Sequence, residues 1–152
     1  MVRTHTETPK VLEKVDEKLM RKVLDCPSKT PIHLMYLELG WLPIRFIFQS
    51  RRLNFLKYIL DQKDTSLTKQ MFNEQKHKPN KHDWVKSVEN DLKKLKIKSS
   101  YEEISSMTKS SFKKIVKEAC EENALRYLKL HIKSKGKEII YNQMALRHYP
   151  SS

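Results

Sequence analysis

Between Tyr36 and Leu60 the chain gathers its densest set of apolar side chains around one interruption, Gly40-Trp41-Leu42-Pro43. A glycine suits the left-handed position just past a helix end, and a proline suits the first turn of the helix that follows. The segment therefore reads as a short helix, a stop, and a second helix running from about Pro43 to Leu60. That second helix is apolar on almost every side, which predicts a place at the centre of a bundle rather than on its surface. Arg51 and Arg52 lie inside it, and guanidinium groups in such a setting need partners. The chain has only one other glycine, Gly136, which reads as a terminator of a later helix. A glycine-rich phosphate cradle needs several glycines close together, so none is expected here.

Elsewhere apolar residues recur at helical spacing, and no long alternating strand pattern occurs. Val11, Leu12, Val15, Leu19 and Val23 form one stripe, ending at Cys26-Pro27. Thr30-Pro31 opens the short helix that carries Leu34, Met35 and Leu39. Asp64-Thr65-Ser66 marks another start, with Leu67, Met71 and Phe72 facing inward, and that helix must stop before Pro79. A helix from near Asn80 buries Trp84, Val88, Leu92 and Leu95. Ser100 and Glu103 have the spacing of a capping box. The longest helix is expected from about Lys109 to Lys133, on Phe112, Ile115, Val116, Ala119, Leu125, Leu128 and Ile132. The predicted class is all-α: an irregular bundle of about six to eight helices without a sheet.

Net charge decides which partners suit such a chain. With 31 Lys/Arg against 18 Asp/Glu, the formal charge is +13. The excess is not a tail, since residues 1–60 carry 11 basic against 6 acidic residues and residues 61–152 carry 20 against 12. Such a balance favours nucleic acid first and an acidic membrane surface second. Solvated helix faces are the bland alternative. No apolar stretch reaches the ~20 residues of a membrane span, and the polar start, Met1 to Lys10, is no secretion segment. Two cysteines, Cys26 and Cys120, supply no disulfide framework and read as small buried thiols. An intracellular protein, of nucleus or cytoplasm, is the expectation.

Catalytic and metal-binding patterns are sparse. His77 and His82 are separated by Lys78-Pro79-Asn80 between helices, and Cys26 with His33 lacks a second pair, so neither makes a four-ligand zinc site. Cys120 is surrounded by Glu118, Glu121 and Glu122, the wrong charge to activate a thiol. The serines fall where caps and loops are expected, and no Asp-Asp pair is present for metal-dependent polymerase chemistry. No enzymatic activity, metal or cofactor is expected.

Basic residues carry the remaining signal. Lys93 and Lys94 crowd the end of one helix, while Lys109, Lys113 and Lys117 lie four apart on the long one. A row of lysines on one face can track a phosphate backbone without reading sequence. Lysine at a helix C-terminus is also ordinary dipole complementation. For Arg51, an internal ion pair with Glu38 is one reading and a rigid fork for a phosphate is the other. The candidate nucleic-acid contacts are Arg45, Arg51, Arg52, Lys93, Lys94, Lys109, Lys113 and Lys117.

The blocks from Glu13 to Leu24 and from Cys26 to Pro31, and the opening run through Ile59-Leu60, resemble a known region. It is the region following the reverse-transcriptase core in polyproteins of animal non-LTR (LINE-type) retrotransposons. The likeness continues through Lys81-His82-Asp83-Trp84-Val85, Glu102-Glu103-Ile104, Ser111 to Lys117, and Ala124 to Leu128, covering most of the chain from about Leu12 to about Tyr141. It implies a thumb-like and linker segment that grips template and primer, with RNA or an RNA–DNA hybrid held through its backbone. Catalytic aspartates upstream and a zinc knuckle downstream, which such polyproteins carry, are not in this sequence, so polymerisation and cleavage are not implied. The corresponding organisation is a disordered N-terminus (1–10), a thumb-like hairpin (11–62), a basic helical extension (63–135), and a short docked helix or frayed tail (136–152). A helical protein-interaction domain and an inert retroelement remnant are the alternatives.

Overall fold

The computed structural model describes residues 10–78, 80 and 83–133. Among these it is all-α, with seven helices and no strand. They are α1 (Lys10–Leu24), α2 (Ile32–Leu39), α3 (Ile44–Leu60), α4 (Leu67–His77), α5 (Trp84–Lys94), α6 (Tyr101–Ser106) and α7 (Lys109–Lys133). The expected N-terminal disorder and C-terminal tail lie outside the described residues, apart from Lys10 at the head of α1.

Helix ends follow local chemistry. Gly40 is left-handed at φ 64°, and the amides of Gly40 and Trp41 bond back to the carbonyls of Leu37 and Tyr36, closing α2. Ser100 and Glu103 make the reciprocal capping box: Ser100 Oγ accepts from the Glu103 amide, and the Glu103 carboxylate accepts from the Ser100 amide at 2.9 Å. Two further stops need no glycine. Asp25 and Lys96 are left-handed at φ 47° and 57°, and the next residues, Cys26 and Ile97, bond back to Arg21 and Leu92.

The chain divides into two compact units. Among the described residues, 48–120 form one; 10–47 together with 121–133 form the other. The divisions fall within α3 and within α7.

In the first unit, α3 presents Leu53, Leu56 and Ile59 inward, α5 presents Val85, Val88 and Leu92, and α7 presents Phe112, Val116 and Cys120. Rings of Phe55, Trp84, Phe72 and Tyr101 meet in successive edge-to-face contacts with centroids 5.4–6.4 Å apart, a favoured geometry for aromatic pairs. Lys57 is 3 % exposed, yet its ammonium has two acceptors, Asp61 Oδ1 at 2.6 Å and the Ser105 carbonyl at 3.1 Å. It ties α3 to α6. Lys69 donates to the Leu60 and Gln62 carbonyls, satisfying acceptors at the end of α3.

In the second unit, Met20 of α1, Met35, Tyr36 and Leu37 of α2, and Leu128 and Ile132 of α7 make one buried cluster. The Tyr36 hydroxyl donates to the Asp16 carboxylate. Burial and that carboxylate together hold the phenol well above its ordinary pKa. Cys26 is half-buried with its sulfur 3.3 Å from that of Met35, while Cys120 is buried in the first unit.

Candidate nucleic-acid interface

The expectation that α3 sits at the centre of the bundle rather than on its surface is corrected here. Phe48, Arg51, Phe55 and Tyr58 are spaced three, four and three residues apart, which puts them on one helical face, and all four are exposed. Phe55 and Tyr58 are about half exposed and stack with centroids 5.7 Å apart at 16°. A helix so rich in apolar residues was expected inside because composition does not distinguish aromatics that pack from aromatics that are presented. The regular three-four spacing was the available signal.

Arg51 and Arg52, adjacent in sequence, point to different environments. Arg52 is enclosed and its Nη1 lies 2.8 Å from Asp91 Oδ2; Gln49 Nε2 donates to the other Asp91 oxygen at 3.3 Å. Asp91 of α5 is the partner that the sequence reading missed, because nothing local links positions 39 residues apart. Burial raises the Asp91 carboxyl pKa, against the pull of Arg52, Gln49 and Lys94. Arg51 is exposed on the aromatic face. Glu38, half-buried near the end of α2, belongs to the other unit, and its pairing with Arg51 stays an expectation.

The lysines separate into two physical classes. Lys93 and Lys94 are exposed in the last turn of α5, where the negative end of the helix dipole accounts for cations. Lys109 and Lys113 are exposed in the first turns of α7, and Lys117 follows one turn on. There the dipole disfavours positive charge, and the first turn contains no acidic residue. Thr108 caps this end, its hydroxyl accepting from the Ser111 amide at 3.2 Å. The cations therefore add to a field that is already positive, a surface suited to an anion.

Arg45 lies in the second unit, apart in the chain's organisation from the other candidates. Its guanidinium sits 4.2 Å from the Tyr127 ring centroid and 5.5 Å from that of Phe46. His33 stacks on His131 with centroids 4.4 Å apart, and Tyr127 lies 4.3 Å from His131. Arg45 is thus a packing cation on an aromatic cluster as well as a candidate contact.

Among the described residues, no group of three or more His, Cys, Asp or Glu side chains is placed to hold a metal ion, and no helix is long and apolar enough to cross a membrane. Compared with protein-family models, curated proteins and solved structures, the chain gives no match.

Proposed function

We propose that the chain is a non-catalytic module that binds RNA or an RNA–DNA hybrid through phosphate contacts. The observation that carries this reading is the placement of Lys109, Lys113 and Lys117 on the N-terminal half of α7, where dipole complementation gives no reason for cations. Support comes also from the +13 charge and from the resemblance to the thumb and linker region of LINE-type polyproteins. Backbone contacts of this kind set affinity without selecting sequence. The test is fluorescence anisotropy of the full chain with a labelled RNA–DNA hybrid and with single-stranded RNA across a salt series. Affinity should fall steeply with salt, and Lys109→Glu with Lys113→Glu should flatten the slope of log K against log salt. Absence of binding at low salt overturns the proposal.

A second reading is favoured by α3. Phe48, Phe55, Tyr58 and Arg51 on one exposed face match the residue types that anchor protein interfaces. Exposed aromatics also stack on unpaired bases, at about 1–3 kcal/mol per base. Tyr58→Ala separates the two: loss of single-stranded RNA affinity supports stacking, and unchanged affinity leaves the face to a protein partner.

A further inference from the structure

The 15-residue helix α1 is held by one side and presents an unusual arrangement on the other. Its inward side is well determined. Met20 is fully buried, Leu24 packs against the second unit's core, Asp16 accepts from Tyr36, and Arg21 bonds both Glu17 and the Pro27 carbonyl. These attachments fix the rotation of the helix about its axis. The outward side then consists of two parallel rows at four-residue steps. Val11, Val15, Leu19 and Val23 form the first, exposed by 70, 57, 49 and 55 %. Lys10, Lys14, Lys18 and Lys22, all exposed, form the second beside it.

Rows at four-residue steps are the ridges that seat in the grooves of a neighbouring helix. This one spans about 18 Å at the helical rise. Solvated lysines alone would account for the second row but not for four aliphatic side chains left in water beside it. We propose that the outward ridge of α1 docks an amphipathic helix of a protein partner, whose apolar stripe covers Val11, Val15, Leu19 and Val23 and whose acidic residues face the lysine row. The inference is independent of nucleic-acid binding. A phosphate backbone would neutralise the lysines and leave the aliphatic ridge uncovered. A second copy packed antiparallel would bring lysine row against lysine row, which is unfavourable. A lipid surface is a poor fit because the lysines flank one edge only, with Leu12 and Asp16 along the other, and the ridge contains none of the aromatic side chains that favour the membrane interface.

The probe is a synthetic helical peptide of about 20 residues with leucines at three- and four-residue steps and glutamates on one flank, titrated against the full chain. Two control peptides accompany it: one with glutamine in place of glutamate, and one with the original composition scrambled so that no apolar face forms. The amphipathic acidic peptide should bind at least about tenfold more tightly than either control. Leu19→Glu and Val15→Glu, both at exposed positions, should abolish that difference while the circular-dichroism melt is retained. Lys14→Glu with Lys18→Glu should weaken binding of the acidic peptide but not of its glutamine counterpart. Equal binding of the scrambled peptide, binding insensitive to Leu19→Glu, self-association that Leu19→Glu removes, or Leu19-dependent binding to phosphatidylserine vesicles would each overturn the proposal.

Discussion

The Asp91 carboxylate is 4 % exposed and accepts from the Arg52 guanidinium at 2.8 Å, so ion pairing and burial act on it in opposite directions. Burial wins, and its pKa lies above the ordinary value. Between the unfolded and folded values the folded protein binds more proton at this group than the unfolded chain does, so its contribution to stability is greatest below the unfolded pKa and declines as pH rises through the folded pKa. Removing one partner is a different matter. Asp91→Ala leaves the partly buried Arg52 without this carboxylate and should cost about 1–3 kcal/mol. Replacing both with apolar residues of similar volume, Arg52→Met with Asp91→Leu, should recover most of that loss. Urea denaturation of the two single variants and the double variant measures the coupling. Tyr101 makes a second case. Its hydroxyl is buried without a hydrogen-bond partner among the described residues, and burial with nearby Glu89 pushes its pKa up to about 12. A phenol raised in the folded state contributes stability fully below pH ~10 and loses it as pH rises through the folded value. Tyr101→Phe keeps the ring against Phe72 and should therefore be neutral or stabilising at pH 7, with a smaller alkaline loss; thermal melts at neutral pH and above pH 10 read both effects.

Helix ends show why some of the architecture was readable in the sequence and some was not. Gly40 announces its left-handed stop, and Ser100 with Glu103 announces a cap, because each signal is complete within four residues. The start of α7 at Lys109 coincides with the sequence reading, and Phe112, Val116, Leu128 and Ile132 sustain the apolar row along the described helix. Asp25 and Lys96 occupy the same left-handed position without glycine, so nothing in their identity marks them. Lys96→Gly should relieve the steric cost of φ 57° and raise stability by roughly 1 kcal/mol, with the reverse sign for Ser100→Ala at the α6 cap, which should cost about 1 kcal/mol. Both are measurable by urea denaturation. The outward faces of α1 and α3 were illegible for another reason. Period shows that a stripe exists but not whether the fold covers it: Leu53 and Leu56 are buried on α3, while Phe48 and Phe55 on the same helix are not. Arg52 finding Asp91 belongs to the same class, since long-range pairing has no local trace.

At the scale of the whole molecule, a charge of +13 on 152 residues acts on every equilibrium the chain enters. Several ion pairs are helical neighbours at the surface, such as Lys86–Glu89, Lys114–Glu118 and Arg126–Glu122, and exposed pairs of this kind contribute little. They cannot offset the repulsion among the remaining cations. Salt screens that repulsion, whose range is about 10 Å at 0.1 M ionic strength. The enclosed Arg52–Asp91 and Lys57–Asp61 contacts are shielded from it by burial of at least one partner. Raising salt should therefore raise the melting temperature, while the same addition should weaken the proposed phosphate binding through counterion release. The two responses have opposite signs, which guards against mistaking unfolding for lost affinity. Thermal melts and hybrid-binding titrations over one salt series test the pair together. A melting temperature that falls with salt would show that attractive surface pairs outweigh net repulsion. A binding constant indifferent to salt would remove the phosphate contacts from the account, leaving α1 and the aromatic face of α3 as protein-docking surfaces.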